Sequence, residues 1–218
     1  MHLFLSTSSA LNCIYFTEFG RPMFKVETRA VALGETRRTI IRRAVETVDG
    51  VWLGDRDDGY HEDTNNAPTT YDQERSRSPG STSASDSEDV GTFEGHFAHL
   101  AHIEYSALKP SRILYAGREM RTNRLFRAEG WSWYGMSRHQ VFVASDGCEY
   151  RWVIGSKNPK LVTNDSCKRV IARFHRPKGG FTLKPTSLPS SLEVYPEGEA
   201  ILNDILITFV YLRDAEES

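Results

Sequence analysis

EAILNDILITFVYL, running from Glu199 to Leu212, decides how the rest of the chain is read. Its apolar residues are Ala200, Ile201, Leu202, Ile205, Leu206, Ile207, Phe209, Val210, Tyr211 and Leu212. At about 100° per residue they point in nearly every direction and leave Asn203, Asp204 and Thr208 on one narrow sector. A helix that is apolar almost all round must be enclosed by other parts of the fold. A strand is the competing reading, since Ile, Val, Phe and Tyr are common in sheets. The 14-residue length is long for one strand. Glu197 and Glu199, in the Pro196–Glu199 lead-in, complement the helix dipole at its start. A helix over about 198–213 is expected.

Upstream, short β-rich runs recur at a spacing of roughly ten residues, bounded by Gly, Pro, Asn and Asp. They are His2–Ser6, Cys13–Thr17, Met23–Glu27, Arg38–Val45, Leu100–Tyr105, Arg112–Tyr115, Arg118–Met120, Gln140–Ala144, Glu149–Ile154, Leu161–Thr163, Arg169–His175 and Leu192–Tyr195. The clearest hairpin is VFVASDGCEYRW, where Asp146-Gly147 suits a two-residue type I′ turn. That turn would set Val143 against Tyr150 and Val141 against Trp152, with all four on the core face. Ala116-Gly117 marks a second hairpin, with Gly placed for a type II turn. The expected fold is mainly β: a closed antiparallel barrel of about twelve strands around the C-terminal helix. An interior filled by that helix is expected to leave no deep pocket.

Residues 55–92 interrupt this pattern. They hold ten acidic and three basic residues, a net charge of −7, and few apolar ones. Such a stretch cannot bury enough surface to offset its ordering entropy, so it reads as a disordered insertion. It splits a single domain made of residues 1–54 and 93–218, because 54 residues alone are few for an independent core. Without it the body carries 24 basic and 19 acidic residues, a net of +5, against −2 for the whole chain. The insertion also offers Ser76, Ser78, Ser85 and Ser87 in contexts that suit kinases, where added phosphate would compete for a basic face.

The chain resembles a group of proteins from mushroom-forming fungi classed with the tubby-like or LURP-one-like barrels. The resemblance rests on FKVET (Phe24–Thr28), EGWSWYG (Glu129–Gly135), DGCEYRW (Asp146–Trp152), ARFHRP (Ala172–Pro177) and the whole of Ser191–Leu212. It implies a twelve-stranded barrel around a hydrophobic C-terminal helix. It implies no activity, and no residue here matches the tubby phosphoinositide pocket or a scramblase calcium site. Fold alone does not deliver function.

Chemistry must therefore be sought in side-chain clusters. His96, His99 and His102 stand three apart, but strand geometry would turn His99 and His102 to opposite faces, so no metal site is expected. Cys13, Cys148 and Cys167 are widely spaced and odd in number, which suits free thiols in a reducing compartment. No nucleophile motif or phosphate-cradling loop occurs, so neither catalysis nor a cofactor is expected. The basic residues are more informative. In KRVIARFHRPK, alternation turns Val170, Ala172 and Phe174 inward and Arg169, Ile171, Arg173 and His175 outward, with Arg176 and Lys178 beyond. Arg37, Arg38, Arg42 and Arg43 form a second cluster, and Arg118, Arg121, Arg124 and Arg127 a third. Two clusters sharing a face would hold a phosphate-rich headgroup through guanidinium contacts. The candidates for binding anionic lipid are Arg169, Arg173, His175, Arg176, Lys178, Arg38 and Arg42.

The ordinary alternative is a solvated strand face with local ion pairs. Nucleic acid, stacked on Trp131, Trp133 and Tyr134, is the weaker reading, because +5 is a small charge for that role and these aromatics suit packing. The second functional reading is a protein-interaction scaffold that uses the acidic insertion. The N-terminus lacks a signal peptide's basic start and apolar core. The most apolar window, Ala200–Leu212, is shorter than the roughly 20 residues that span a membrane. Cytoplasmic residence is expected, with a peripheral membrane or nuclear location compatible.

Overall fold

The computed structural model describes residues 1–29, 36–45, 47–48, 51–52, 97–106, 109–130, 139–154, 158–176 and 189–217. These belong to one unit, Met1–Leu53 with Gly95–Ser218; a second unit, Gly54–Glu94, lies outside the described residues, and with it the acidic insertion. The strands are β1 (His2–Leu5), β2 (Cys13–Phe16), β3 (Pro22–Arg29), β4 (Arg37–Ala44), β5 (Thr47–Val48), β6 (Val51–Trp52), β7 (Phe97–Tyr105) and β8 (Arg112–Tyr115). They continue with β9 (Arg118–Arg121), β10 (Arg127–Glu129), β11 (His139–Val143), β12 (Glu149–Val153), β13 (Lys160–Thr163), β14 (Val170–His175) and β15 (Ser191–Val194). A short helix α1 (Thr122–Leu125) links β9 to β10, and a 3-10 turn (Pro196–Ile201) leads into helix α2 (Leu202–Glu217).

Thirteen strands form one antiparallel sheet in the order β10-β11-β12-β13-β14-β15-β1-β2-β3-β4-β7-β8-β9, with β5 and β6 paired apart from it. Strand parity sorts the side chains: Leu3, Tyr15, Phe24, Ile41, Ile103, Trp152, Phe174 and Leu192 are fully buried. They share one core cluster with Ile205, Leu206, Phe209 and Val210 of α2. Contacts reach the helix from several sides. Phe209 lies with its ring centroid 5.8 Å from Trp152 and 5.0 Å from Phe174, while Tyr211 stacks on Phe126 at 5.2 Å and Tyr105 at 6.3 Å. Even the polar sector is matched. Trp152 Nε1 donates to Thr208 Oγ1 at 2.9 Å, and Thr208 donates onward to the Asp204 carbonyl at 2.7 Å. Near the far end Asp214 is buried and pairs with Arg37, whose guanidinium lies over the Tyr105 ring.

The mainly β fold with an enclosed C-terminal helix therefore stands, with the helix beginning as a 3-10 turn at Pro196 and running to Glu217. Closure is where the sheet differs from expectation. Its two edge strands, β9 and β10, are consecutive in sequence, yet no ladder joins them among the described residues. The sheet stays open along that seam.

Three local expectations also change. The β11–β12 hairpin has a three-residue loop, Ser145-Asp146-Gly147, closed by the Ala144 amide on the Cys148 carbonyl at 3.0 Å. Gly147 takes φ of 80°, and Asp146 Oδ1 accepts the Cys148 amide. Register moves by one residue, so Phe142 opposes Tyr150 and Gln140 opposes Trp152. Phe142 joins the core and Val143 is exposed, because a one-residue slip exchanges the faces. Second, the β8–β9 turn pairs Tyr115 with Arg118 and has positive φ at both Ala116 and Gly117. That is the type I′ pattern, not type II. Ala116 bears a conformation that L-residues avoid, so Ala116→Asn is expected to add about 0.5–1 kcal/mol to the unfolding free energy. An unchanged urea midpoint would contradict it. Third, a register shift between Leu161 and Val162 leaves Ile171 as an extra residue in β14. Ile171, expected outside, is buried against Gly198 of the 3-10 turn.

Candidate functional site

The basic residues of β4 divide by strand parity. Arg37 reaches Asp214 of the helix, and Arg43 donates to Asn203 Oδ1 at 3.4 Å. Arg38 and Arg42 point to the outer face, and each meets a carboxylate from a neighbouring strand. Arg38 lies 2.5 Å from Glu104 of β7, and Arg42 pairs with Glu27 of β3, which also holds Lys25 at 2.9 Å. Burial acts to raise the Glu27 carboxyl, but Lys25 and Arg42 outweigh it and hold it below its ordinary value.

On β14, Arg173 sits between Lys160 of β13 and Glu193 of β15 in the ladder. Glu193 accepts from His175 Nε2 at 2.8 Å and lies 3.7 Å from His2 Nε2. Arg169 and Arg176 are exposed, and Lys178 lies outside the described residues. The two groups do not converge: five inter-strand steps separate β14 from β4, about 24 Å along the sheet. Trp131, Trp133 and Tyr134, along with His96 and the four candidate phosphoacceptor serines, are likewise outside the described residues.

His99 and His102 correct another parity expectation. A register shift opposite Ile41 and Arg42 adds Leu100 as an extra residue in β7 and returns both histidines to one face. Their ring centroids are 5.7 Å apart. No group of three or more His, Cys, Asp or Glu among the described residues is placed to hold a metal. Burial first, then the charges of Arg38 and His99, holds His102 below the ordinary imidazole value of 6.5. Burial, then Arg151, does the same for His139. The unfolded chain therefore binds more protons than the fold just below that value, and stability falls as pH drops from about 6.5 through the folded-state values. A second loss follows at lower pH, as Glu27 and Glu193, both held below their ordinary carboxylate value, are protonated. Denaturant midpoints across this range are expected to show both phases, with His102→Gln shrinking the upper one.

The third arginine cluster lies along the open seam. Arg127 is taken up by Glu149, bidentately at 3.1 and 3.2 Å, and by Glu129. Arg118, Arg121 and Arg124 are exposed and have no ion-pair partner among the described residues. β10 covers β11 only as far as Val141, and among the described residues no strand lies between the stretch of β11 beyond it and β9. A cleft of about 390 Å³ opens there, walled by Met120, Leu125, Phe142 and Val143, with Ile207 and Thr208 of α2 as its floor. Arg118 stands at its side, and a depression carrying Glu119, Arg121 and Arg124 continues from it past Met120, Leu125 and Val143. Val143 is 54% exposed. Asp204, also lining the cleft, is held by Ser145 through Oγ at 2.6 Å and the amide at 3.3 Å.

The expectation of a helix-filled interior without a pocket thus fails at the seam, where no ladder joins β9 and β10 among the described residues. Chemically the cleft provides apolar surface, the Asp204 carboxylate and the Arg118 cation, and the adjoining depression adds Arg121, Arg124 and Glu119. Its serine donates to a carboxylate, and no histidine or cysteine lines it among the described residues. The regular three-residue spacing of Arg118, Arg121 and Arg124 was the visible sequence signal; their meeting with Val143 depends on two edges that sequence does not place together.

Fold and site define a mainly β protein, wrapped around its last helix and open along one basic seam. The chain belongs to the DUF6593 family, a family of unknown function whose match covers residues 8–217. Comparison with curated proteins and with solved structures gives no match. Among the described residues no helix is long and apolar enough to cross a membrane.

Proposed function

We propose that this protein is a tubby-like β-barrel module without catalytic activity that docks on anionic membrane lipid headgroups. The observation that carries the reading is the seam: Arg118, Arg121 and Arg124, without ion-pair partners among the described residues, stand beside the exposed Val143, while the nearby Glu119 is paired with Arg112. Cations next to exposed apolar surface suit an interface of anionic headgroups over acyl chains. The resemblance in sequence and the chain adjacency of the edge strands β9 and β10 support the barrel reading, with the seam as the gap between its two edges. Arg38, Arg42, Arg173 and His175 contribute less, because each already faces a carboxylate. Arg169 and Arg176, both exposed, add long-range attraction only.

Co-sedimentation with neutral and anionic phospholipid vesicles at low and physiological salt tests this. Anionic vesicles are expected to bind the protein in a salt-sensitive manner. Replacing Arg118, Arg121 and Arg124 by Glu should remove at least about 3 kcal/mol, roughly a hundredfold in partitioning. The pair Arg169→Glu and Arg173→Glu should cost much less. Equal binding to neutral vesicles, or no response to the triple change, would overturn the proposal.

A further inference from the structure

The seam cleft has a property that headgroup docking does not use: depth between the wall and α2. Its volume, about 390 Å³, lies within the range of small-molecule sites. Ile113, Met120, Leu125, Phe142 and Ile207 present apolar side chains to it. They sit on four different elements, β8, β9, α1 and β11, with α2 beneath. The cavity is therefore built by the fold and not by one loop. Its polar groups are unequally distributed. Asp204 and Thr208 belong to the helix floor and are engaged by Ser145 and Trp152. Arg118 stands at the side, and Arg121 and Arg124 flank the adjoining depression.

We propose that this cleft binds a single-chain amphiphile with an anionic head, such as a fatty acid anion or an alkyl phosphate. The chain lies against Met120, Leu125, Phe142 and Ile207, where burial of each methylene is favourable. The head stays at the arginine rim, where guanidinium groups take carboxylate or phosphate oxygens through charge-assisted bonds. Asp204 fixes the orientation: a negative head pushed to the floor would meet a carboxylate, whereas at the rim it meets Arg118, with Arg121 and Arg124 in the adjoining depression. A cationic head would be repelled at the rim, so the site discriminates by charge as well as by shape. This extends the headgroup reading of the same arginines, but it requires a chain to enter the protein, which docking on a bilayer surface does not.

The test uses the full chain and three soluble probes below their micelle concentrations: dodecyl phosphate, dodecanoate and dodecyltrimethylammonium, titrated by calorimetry. Saturable one-to-one binding of both anionic probes is expected, with the cationic probe at least about tenfold weaker. Met120→Trp, a half-buried edge position, should fill the cleft and weaken anionic probe binding by about tenfold or more. Paired Arg118→Gln and Arg121→Gln changes should weaken both readouts, with circular dichroism confirming that each variant folds. No saturable binding of either anionic probe overturns the proposal, as does equal affinity for the cationic probe or indifference to Met120→Trp. Vesicle binding without probe binding leaves headgroup docking standing and removes the cleft. Probe binding without vesicle binding does the reverse.

Discussion

Phe209→Ala is expected to lower the unfolding free energy by about 3–5 kcal/mol, the largest loss of any single truncation considered. Phe209 is fully buried, and its ring is held between Trp152 of β12 and Phe174 of β14. Removing it empties space that two strands and a helix share, and neither aromatic neighbour can close the gap without leaving its own packing. At a denaturant sensitivity of about 2–3 kcal/mol/M, the urea midpoint should drop by about 1–2.5 M. Phe209→Leu should recover most of the loss, since it keeps much of the volume. A loss below about 1 kcal/mol would mean that α2 is not enclosed by the sheet, and the fold described above would fail with it.

Gly198→Ala ranks second, at about 1–3 kcal/mol. A Cβ there would come within 2.8 Å of Ile171 Cγ2 and 3.0 Å of both the Ile171 carbonyl and Val194 Cγ1. Two of those atoms are side-chain methyls that could shift slightly; the carbonyl belongs to the bulged strand β14 and cannot. The turn that delivers the chain from β15 into α2 would have to lift off the sheet. Combining Gly198→Ala with Ile171→Ala should recover part of the loss, because Cγ2 is gone while the carbonyl remains. Strict additivity in that double-mutant cycle would contradict the close approach.

How much of this was legible can be judged from individual residues. The enclosed helix was readable because its apolar residues cover nearly every direction, and no strand-based fold accommodates such a segment except by surrounding it. Strand positions were readable from turn residues, and Arg112–Tyr115 falls where it was expected. Faces were less so. Strand alternation is a parity rule, and a single extra residue reverses everything beyond it. This happened at the Ser145–Gly147 loop, at Leu100 and at Ile171. The three-residue strand β10 and the pair β5–β6 were too short to stand out from their surroundings.

The site was legible only as a set of arginines. Whether a cation is available depends on which carboxylate the neighbouring strand sets beside it, and those partners are remote: Arg38 meets Glu104, 66 positions away. Arg169 and Arg173 looked attractive because they recur within one strand. Glu193, which opposes Arg173 in the ladder and bonds His175, lies on the next strand, and the register that sets it there is fixed by no tight turn that sequence reveals. The cleft was hidden for a different reason, since it is made by the shortness of β10 against the full length of its neighbour.

The pairing of β1 with β15 has a consequence in time. His2 faces Glu193 across that ladder, so during synthesis β1 waits for a partner made much later in the chain. At about 5–20 residues per second, synthesis separates them by about 10–40 s. Throughout that interval one edge of β1 has no partner of its own, and the apolar helix that fills the interior has yet to be made. Exposure to mispairing and to capture by chaperones is greatest in the stretch of synthesis before β15 and α2 emerge.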